Sequence, residues 1–181
     1  MKKSILGFVK GLTTPSGVSK EKGFLSERLE KTCGKDMSEG AYMEGHLRAE
    51  HIRDGQVIAT IETPNYIVDD GLAEVAALIS TSGTGTKFSD IAIGTNSAAT
   101  GAAQTVLSGE SHRAVFADAI AANTATFTAT YNFTGSFTIQ EAGIFNATTA
   151  GNMLSRRVFA AVNVANGDSL VITWSITVNR S

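Results

Sequence analysis

From Thr124 to Phe133 the chain alternates, with Ala125, Phe127, Ala129, Tyr131 and Phe133 interleaved between Thr124, Thr126, Thr128, Thr130 and Asn132. A period of two turns every second side chain to the same face, so the run predicts a strand with one core face and one threonine-lined face. Leu170 to Val178 repeats the design: Leu170, Ile172, Trp174, Ile176 and Val178 on one side, Val171, Thr173, Ser175 and Thr177 on the other. These two strands are expected to supply opposite walls of one core. Further strand-like runs are FSDIAIG from Phe88, Arg113 to Ala121, Ser136 to Phe145 and Met153 to Val164, with NATTAGN and Asn166-Gly167-Asp168 as turns. Together they predict about six strands after residue 86.

Upstream, HLRAEHIR and QVIATIE flank Asp54-Gly55, a dipeptide that supplies positive φ at a tight turn, so residues 45 to 62 read as a hairpin. Asp69 and Asp70 then open a helix near residues 70 to 80, whose apolar stripe is Leu72, Val75, Ala76 and Ile79. Many short strands with one short helix predict a mainly β fold, an antiparallel β-sandwich or jelly roll. Residues 1 to 40 follow other rules. Glycines at 7, 11, 17, 23, 34 and 40 and Pro15 break every long period, leaving one short amphipathic stretch, Phe24 to Lys31, with Leu25, Arg28 and Leu29 on one face. This segment has no core of its own and is expected to be an extended N-terminal arm lying along a partner, with Ile5, Leu6, Phe8, Val9, Phe24, Leu25 and Leu29 as its contacts. The expected division is thus an arm, 1 to 40, and a sandwich domain, 41 to 181.

Charge sharpens that division. The net charge is -2, too little to hold a polyanion by charge alone, so neither nucleic acid nor a membrane surface is an expected partner. Residues 1 to 40 carry 8 basic and 5 acidic groups, or +3, and residues 41 to 181 carry 7 and 12, or -5. No apolar run approaches the roughly 18 residues of a membrane span. MKKSILGFVKG briefly imitates a signal peptide, but Gly7 and Lys10 interrupt it, and synthesis in the cytosol is expected. A single cysteine, Cys33, allows no internal disulfide and reads as an incidental thiol.

The residues that carry chemistry do not converge. His46 and His51 are five apart on one predicted strand and point to opposite faces, which defeats joint metal ligation. Ser111, His112 and Asp118 hold the letters of a triad, but G-E-S-H-R lacks the second glycine of a nucleophile elbow. The glycines of SGTGTKFSDIAIG precede a strand, whereas a phosphate cradle runs from glycines into a helix, so Lys87 reads as a solvated loop residue. Glu141 and Asp118 have no aromatic subsite around them that would suit glycosidic cleavage. Arg156-Arg157 is the unusual pair. Adjacent strand residues face opposite ways, so one should approach the core or a subunit contact, where Glu141 would meet it as an ion pair; the alternative is two exposed arginines at a strand's end. No catalytic, cofactor or metal site is expected.

Three pieces carry a resemblance: IRDGQVIATIETPNYIVDDGLAEVAALI, FSDIAIGTNSAATGAAQTVL, and the stretch from TATFTATYNF through EAGIFN to LVITWSITV. Their order resembles a group of small virion proteins of tailed bacteriophages, in which a hairpin and a helix precede an I-A-I-G-T strand, an E-A-G-I-F-N segment and a final strand with a central tryptophan. It spans roughly residues 47 to 178 and leaves the arm unmatched. The resemblance implies a non-enzymatic structural role in the virion, with the major capsid protein or other virion proteins as partners and a homo-oligomer, trimer or dimer, as the assembled form. Among such roles a head decoration, or cement, protein is expected first, a tail or fibre component of the adsorption apparatus second. A carbohydrate-binding module is a third reading, with Trp174 as its stacking residue were it not on the predicted core face.

Overall fold

The computed structural model describes residues 40–181. The strands are β1 (Ala41–Arg53), β2 (Gln56–Pro64), β3 (Tyr66–Ile67), β4 (Asp90–Gly94), β5 (Glu110–Val115), β6 (Ala117–Ala121), β7 (Thr124–Asn132), β8 (Phe137–Phe145), β9 (Met153–Val164) and β10 (Ser169–Arg180), with helix α1 (Asp69–Ile79) between β3 and β4. They form two antiparallel five-stranded sheets, ordered β2-β1-β10-β7-β6 and β3-β9-β8-β4-β5. The fold is mainly β, as the alternation predicts, and residues Ala41–Arg180 make one compact unit.

The predicted hairpin is β1 and β2, whose turn holds Asp54 at φ 51 and Gly55 at φ 74. Positive φ at both central residues matches the twist of the flanking strands, which is why Asp-Gly sits there. The two clearest strands, by contrast, are not opposite walls. β7 and β10 are neighbours in one sheet, with Trp174 paired to Phe127 and Ile172 to Ala129, and the facing wall is built from β4, β8 and β9. Periodicity tells which side chains face inward but not which sheet a strand joins. The run Arg113 to Ala121 is also two strands rather than one. Phe116 interrupts it, donating its N–H to the Ser89 carbonyl at 3.1 Å and stacking its ring 4.5 Å from Phe127, so that β5 belongs to one sheet and β6 to the other. At the opposite flank Asn65 alone separates β2 of the first sheet from β3 of the second.

Between the sheets lies the main core, in which Leu47, Ile91, Ile144, Ile172 and Trp174 are fully buried. A second cluster, Val68, Ala92, Leu107, Phe145 and Met153, is also buried. Every residue of β4 is buried, because the row Ala92, Gly143 and Arg156 that crosses β4, β8 and β9 lies beneath other chain segments instead of facing solvent.

Helix α1 departs from its predicted orientation. Its buried residues are Gly71 and Glu74, while Leu72 is 49% and Ile79 82% exposed. The seated face is rotated by one residue, about 100°, from the apolar stripe. Gly71 explains the choice: a Cβ there would collide with the backbone of Leu154, so only glycine lets the helix rest on β9. Gly71→Ala is therefore expected to destabilise the fold by more than Gly55→Ala, whose cost of about 1 kcal/mol is backbone conformation alone, since open space surrounds its Cβ position. Chemical denaturation of the two variants checks the order.

Candidate functional site

Several buried or half-buried charged residues of the body are fastened to loops. Glu141 on β8 and Arg156 on β9 are both fully buried and paired at 2.6 Å, with Arg156 Nε also donating to Glu141 Oε2 at 3.0 Å. The remaining arginine nitrogen, Nη1, donates to the Ala98 carbonyl at 3.1 Å and to Gln104 Oε1 at 2.9 Å, and the other carboxylate oxygen of Glu141 accepts the Gly109 N–H at 2.7 Å. One ion pair thereby holds the segment between β4 and β5 at three places. Gly94 is required beneath it, because a Cβ would meet both the Gly109 carbonyl and the Glu141 carboxylate.

A second knot lies at the turn between β9 and β10. Asp168, 2% exposed after the turn at Gly167, accepts from Arg53 through Nε at 2.8 Å and Nη2 at 2.7 Å, from the Ala165 N–H at 2.8 Å and from His51 Nε2 at 2.7 Å. An ionised carboxylate only accepts, so the imidazole nitrogen must donate. The Arg53 hydrogen bonds, helped by His51 and Ala165 and opposed by burial, hold the Asp168 carboxyl far below the usual carboxylate range.

Two further clamps meet at the β8–β9 turn, one from α1 and one from β5. Glu74 accepts from the Thr86 N–H, from Asn152 Nδ2 at 2.6 Å and from Asn146 Nδ2 at 3.0 Å. The Thr86 bond first, and then Asn152, lower its pKa against the opposing effect of burial. Arg113 grips Glu110 with two parallel bonds at 2.8 and 2.7 Å, donates to the carbonyls of Ala147 and Ala150, and lies 3.9 Å over the Phe145 ring. The Tyr131 hydroxyl donates to the Ile91 carbonyl at 2.6 Å across the core, and burial pushes its pKa up.

What faces outward is of a different kind. A groove of about 970 Å³ runs between the start of β1 (Tyr42, Met43), the residues around Tyr66, the end of β10 (Val178) and α1, where Leu72 and Ile79 are exposed and Val75 is half-buried against the core. A neighbouring hollow of about 380 Å³ shares Met43, Val75 and Val178 with it and extends to Leu78 and Ile120. Tyr42, Val178, Leu72, Leu78, Ile79 and Ile120 are all exposed. An apolar surface of this extent on one side of a small body marks an interaction site, and it is the candidate functional site of the described residues. The outer face of the first sheet is polar by comparison, with Thr124, Thr126 and Thr128 registered against Thr177, Ser175 and Thr173 and a 2.9 Å bond between the Thr124 and Thr177 hydroxyls.

The residues singled out in the sequence separate accordingly. Glu141 meets Arg156 and not Arg157, which is partly exposed and whose Nε has no acceptor among the described residues. His51 is buried and His46 exposed on the other face of β1. His112 lies edge-on between Phe133 and Phe137 with Ser111 Oγ 3.1 Å from Nδ1, whereas Asp118 is on β6 of the other sheet, so the three do not form a relay. Lys87 is exposed, and Trp174 is too deeply buried to stack against a ligand. Ile5, Leu6, Phe8, Val9, Phe24, Leu25, Leu29 and Cys33 lie outside the described residues. Glu74, Asp168 and Gln104 were not singled out from the sequence. Asp168 carried a usable signal in its place directly after Asn166-Gly167; Glu74 did not, because its partners are 12, 72 and 78 residues away.

Among the described residues no cluster of His, Cys, Asp or Glu is arranged to hold a metal ion, and no helix is long and apolar enough to cross a membrane. The chain matches no family model, no curated protein and no solved structure.

Removing one member of the buried pair strands the other's charge. Arg156→Met is expected to cost about 3–5 kcal/mol, and Glu141→Leu in the same chain should return much of it; urea midpoints at constant slope check both. The acid branch of stability depends on Asp168. Its folded pKa lies below its unfolded value of about 3.9, so its contribution is present above that pH and is lost as pH falls toward the folded pKa. Asp168→Asn should be less stable than the parent at neutral pH and converge on it in strong acid, as followed by tryptophan fluorescence.

Proposed function

We propose that the protein is a non-enzymatic structural component of a tailed-phage virion, and within that class a head decoration, or cement, protein acting as a homo-oligomer on the capsid lattice. The observation that carries this reading is the fate of the residues shared with that group. Gly71 is spent seating α1 on β9, and Glu141 on a buried ion pair. Phe145 and Trp174 are spent on packing, and Asn146 on Glu74. These shared residues maintain a scaffold, and Leu72 and Val178 from the same stretches line the exposed groove. A frame with fastened loops and an exposed apolar groove suits a protein whose task is to adhere to neighbours and keep its shape.

The major capsid protein is the proposed partner. A cement protein binds the assembled lattice and not the dissociated shell subunit, so it must raise the temperature at which the particle comes apart. Particles carrying the protein should open at a higher temperature than particles lacking it, with a copy number that scales with the shell subunit. A few copies per particle and an unshifted transition would place the protein in the tail or fibre instead. Glycan binding in the absence of any particle would overturn both assignments.

A further inference from the structure

We infer that the groove beside α1 is the receptor for the N-terminal segment of a second copy of this chain, with Phe24, Leu25 and Leu29 as the inserted side chains. This goes beyond the virion reading and stands without it, since it concerns two copies in solution.

The receptor is defined by a mismatch within α1. Its apolar stripe is well formed, yet the helix is turned so that Gly71 and Glu74 are seated and Val75 packs partly on the core, while Leu72 and Ile79 are left exposed along the groove. Tyr42, Tyr66 and Val178 on the facing walls are 49%, 44% and 47% exposed. Helix and strands therefore present two apolar walls with no described residue between them, the geometry that receives an amphipathic segment.

The occupant follows from what the chain holds outside this body and where that part joins it. Residues 1–39 precede β1, whose first residue, Ala41, itself lines the groove. Within those residues Phe24 to Lys31 is the one amphipathic stretch, with Leu25 and Leu29 at the i, i+4 spacing that puts both on one face. Charge favours the same pairing. Phe24 to Lys31 is itself neutral, Arg28 and Lys31 being matched by Glu27 and Glu30, but residues 1 to 40 together carry +3, and the receptor side carries Glu44 on the groove wall and Asp69 and Asp70 at the head of α1. Twelve residue steps lead from Leu29 to Ala41, which at 3.3–3.6 Å each reach roughly 40 Å, enough to leave one body and enter another. Because each copy carries both a segment and a groove, mutual exchange closes a symmetric dimer in which both apolar surfaces are covered.

The test uses three forms of the purified protein: the full chain, the full chain with Leu72→Glu and Ile79→Glu, and the full chain with Leu25→Glu and Leu29→Glu. The first double substitution lies at exposed positions, and the second lies outside the described residues. Sedimentation should show the parent as a dimer and each variant alone with at least tenfold weaker self-association, at unchanged melting of the sandwich. Mixed together, the two variants should form a one-to-one heterodimer, because one contributes an intact segment and the other an intact groove. A monomeric parent, a variant that dimerises like the parent, or a mixture that fails to pair would each overturn the exchange. A groove variant that fails to fold is replaced by residues 41–181, which contain the whole described core; these should not pair with one another and should be captured by the parent chain but not by the Leu25→Glu, Leu29→Glu chain.

Discussion

The buried pair of Glu141 and Arg156 is the constraint on which the second sheet and its covering loop depend. Two charges withdrawn from water are stable only if their remaining hydrogen-bonding capacity is met, and here backbone and amide groups of the segment between β4 and β5 meet it. The dependence is reciprocal. A segment rich in Gly, Ala and Thr has little apolar surface with which to hold itself down, and the pair supplies the directed contacts that hydrophobicity cannot. Once that segment is fixed, Leu107 is fixed with it, and the cluster of Ala92, Phe145 and Met153 is closed from solvent.

The same arrangement recurs wherever the sandwich meets a long connection. Asp168 ties the β9–β10 turn to β1, Glu74 ties both the segment before β4 and the β8–β9 turn to α1, and Arg113 ties that turn again to β5. A body with few charged side chains has placed many of them where hydrogen bonds, not salt-screened surface attraction, decide their effect. This also explains why the letters of catalytic motifs do not assemble. Glu141 is committed to an arginine and His51 to an aspartate, while Ser111 and His112 lie in a different sheet from Asp118.

How much of this the sequence disclosed depended on the range of the interaction. The alternation from Thr124 and from Leu170 correctly marked the buried Ala129, Tyr131, Ile172 and Trp174, because the period of a strand is a local property. Asp54-Gly55 likewise marked its turn. Which sheet each strand joined was not legible, and β7 and β10 proved to be neighbours. The break at Phe116 was hidden because an aromatic residue fits equally well inside a strand and at a corner. The rotation of α1 was the least legible feature: hydrophobicity pointed to Leu72, Val75 and Ile79, and the deciding facts were a glycine's fit against Leu154 and a carboxylate with partners from two distant segments. The groove exists because of that rotation.

The single residues Asn65 and Phe116, which join β2 to β3 and β5 to β6, have a mechanical consequence. Each links an edge strand of one sheet to an edge strand of the other, and they do so on opposite flanks. The body is laced along both sides by its own backbone, so the layers cannot hinge apart like the covers of a book without first peeling an edge strand from its sheet. Covalent continuity thus does for this molecule what cross-links do for others, and a chain whose lone thiol rules out an internal disulfide can still resist being prised open.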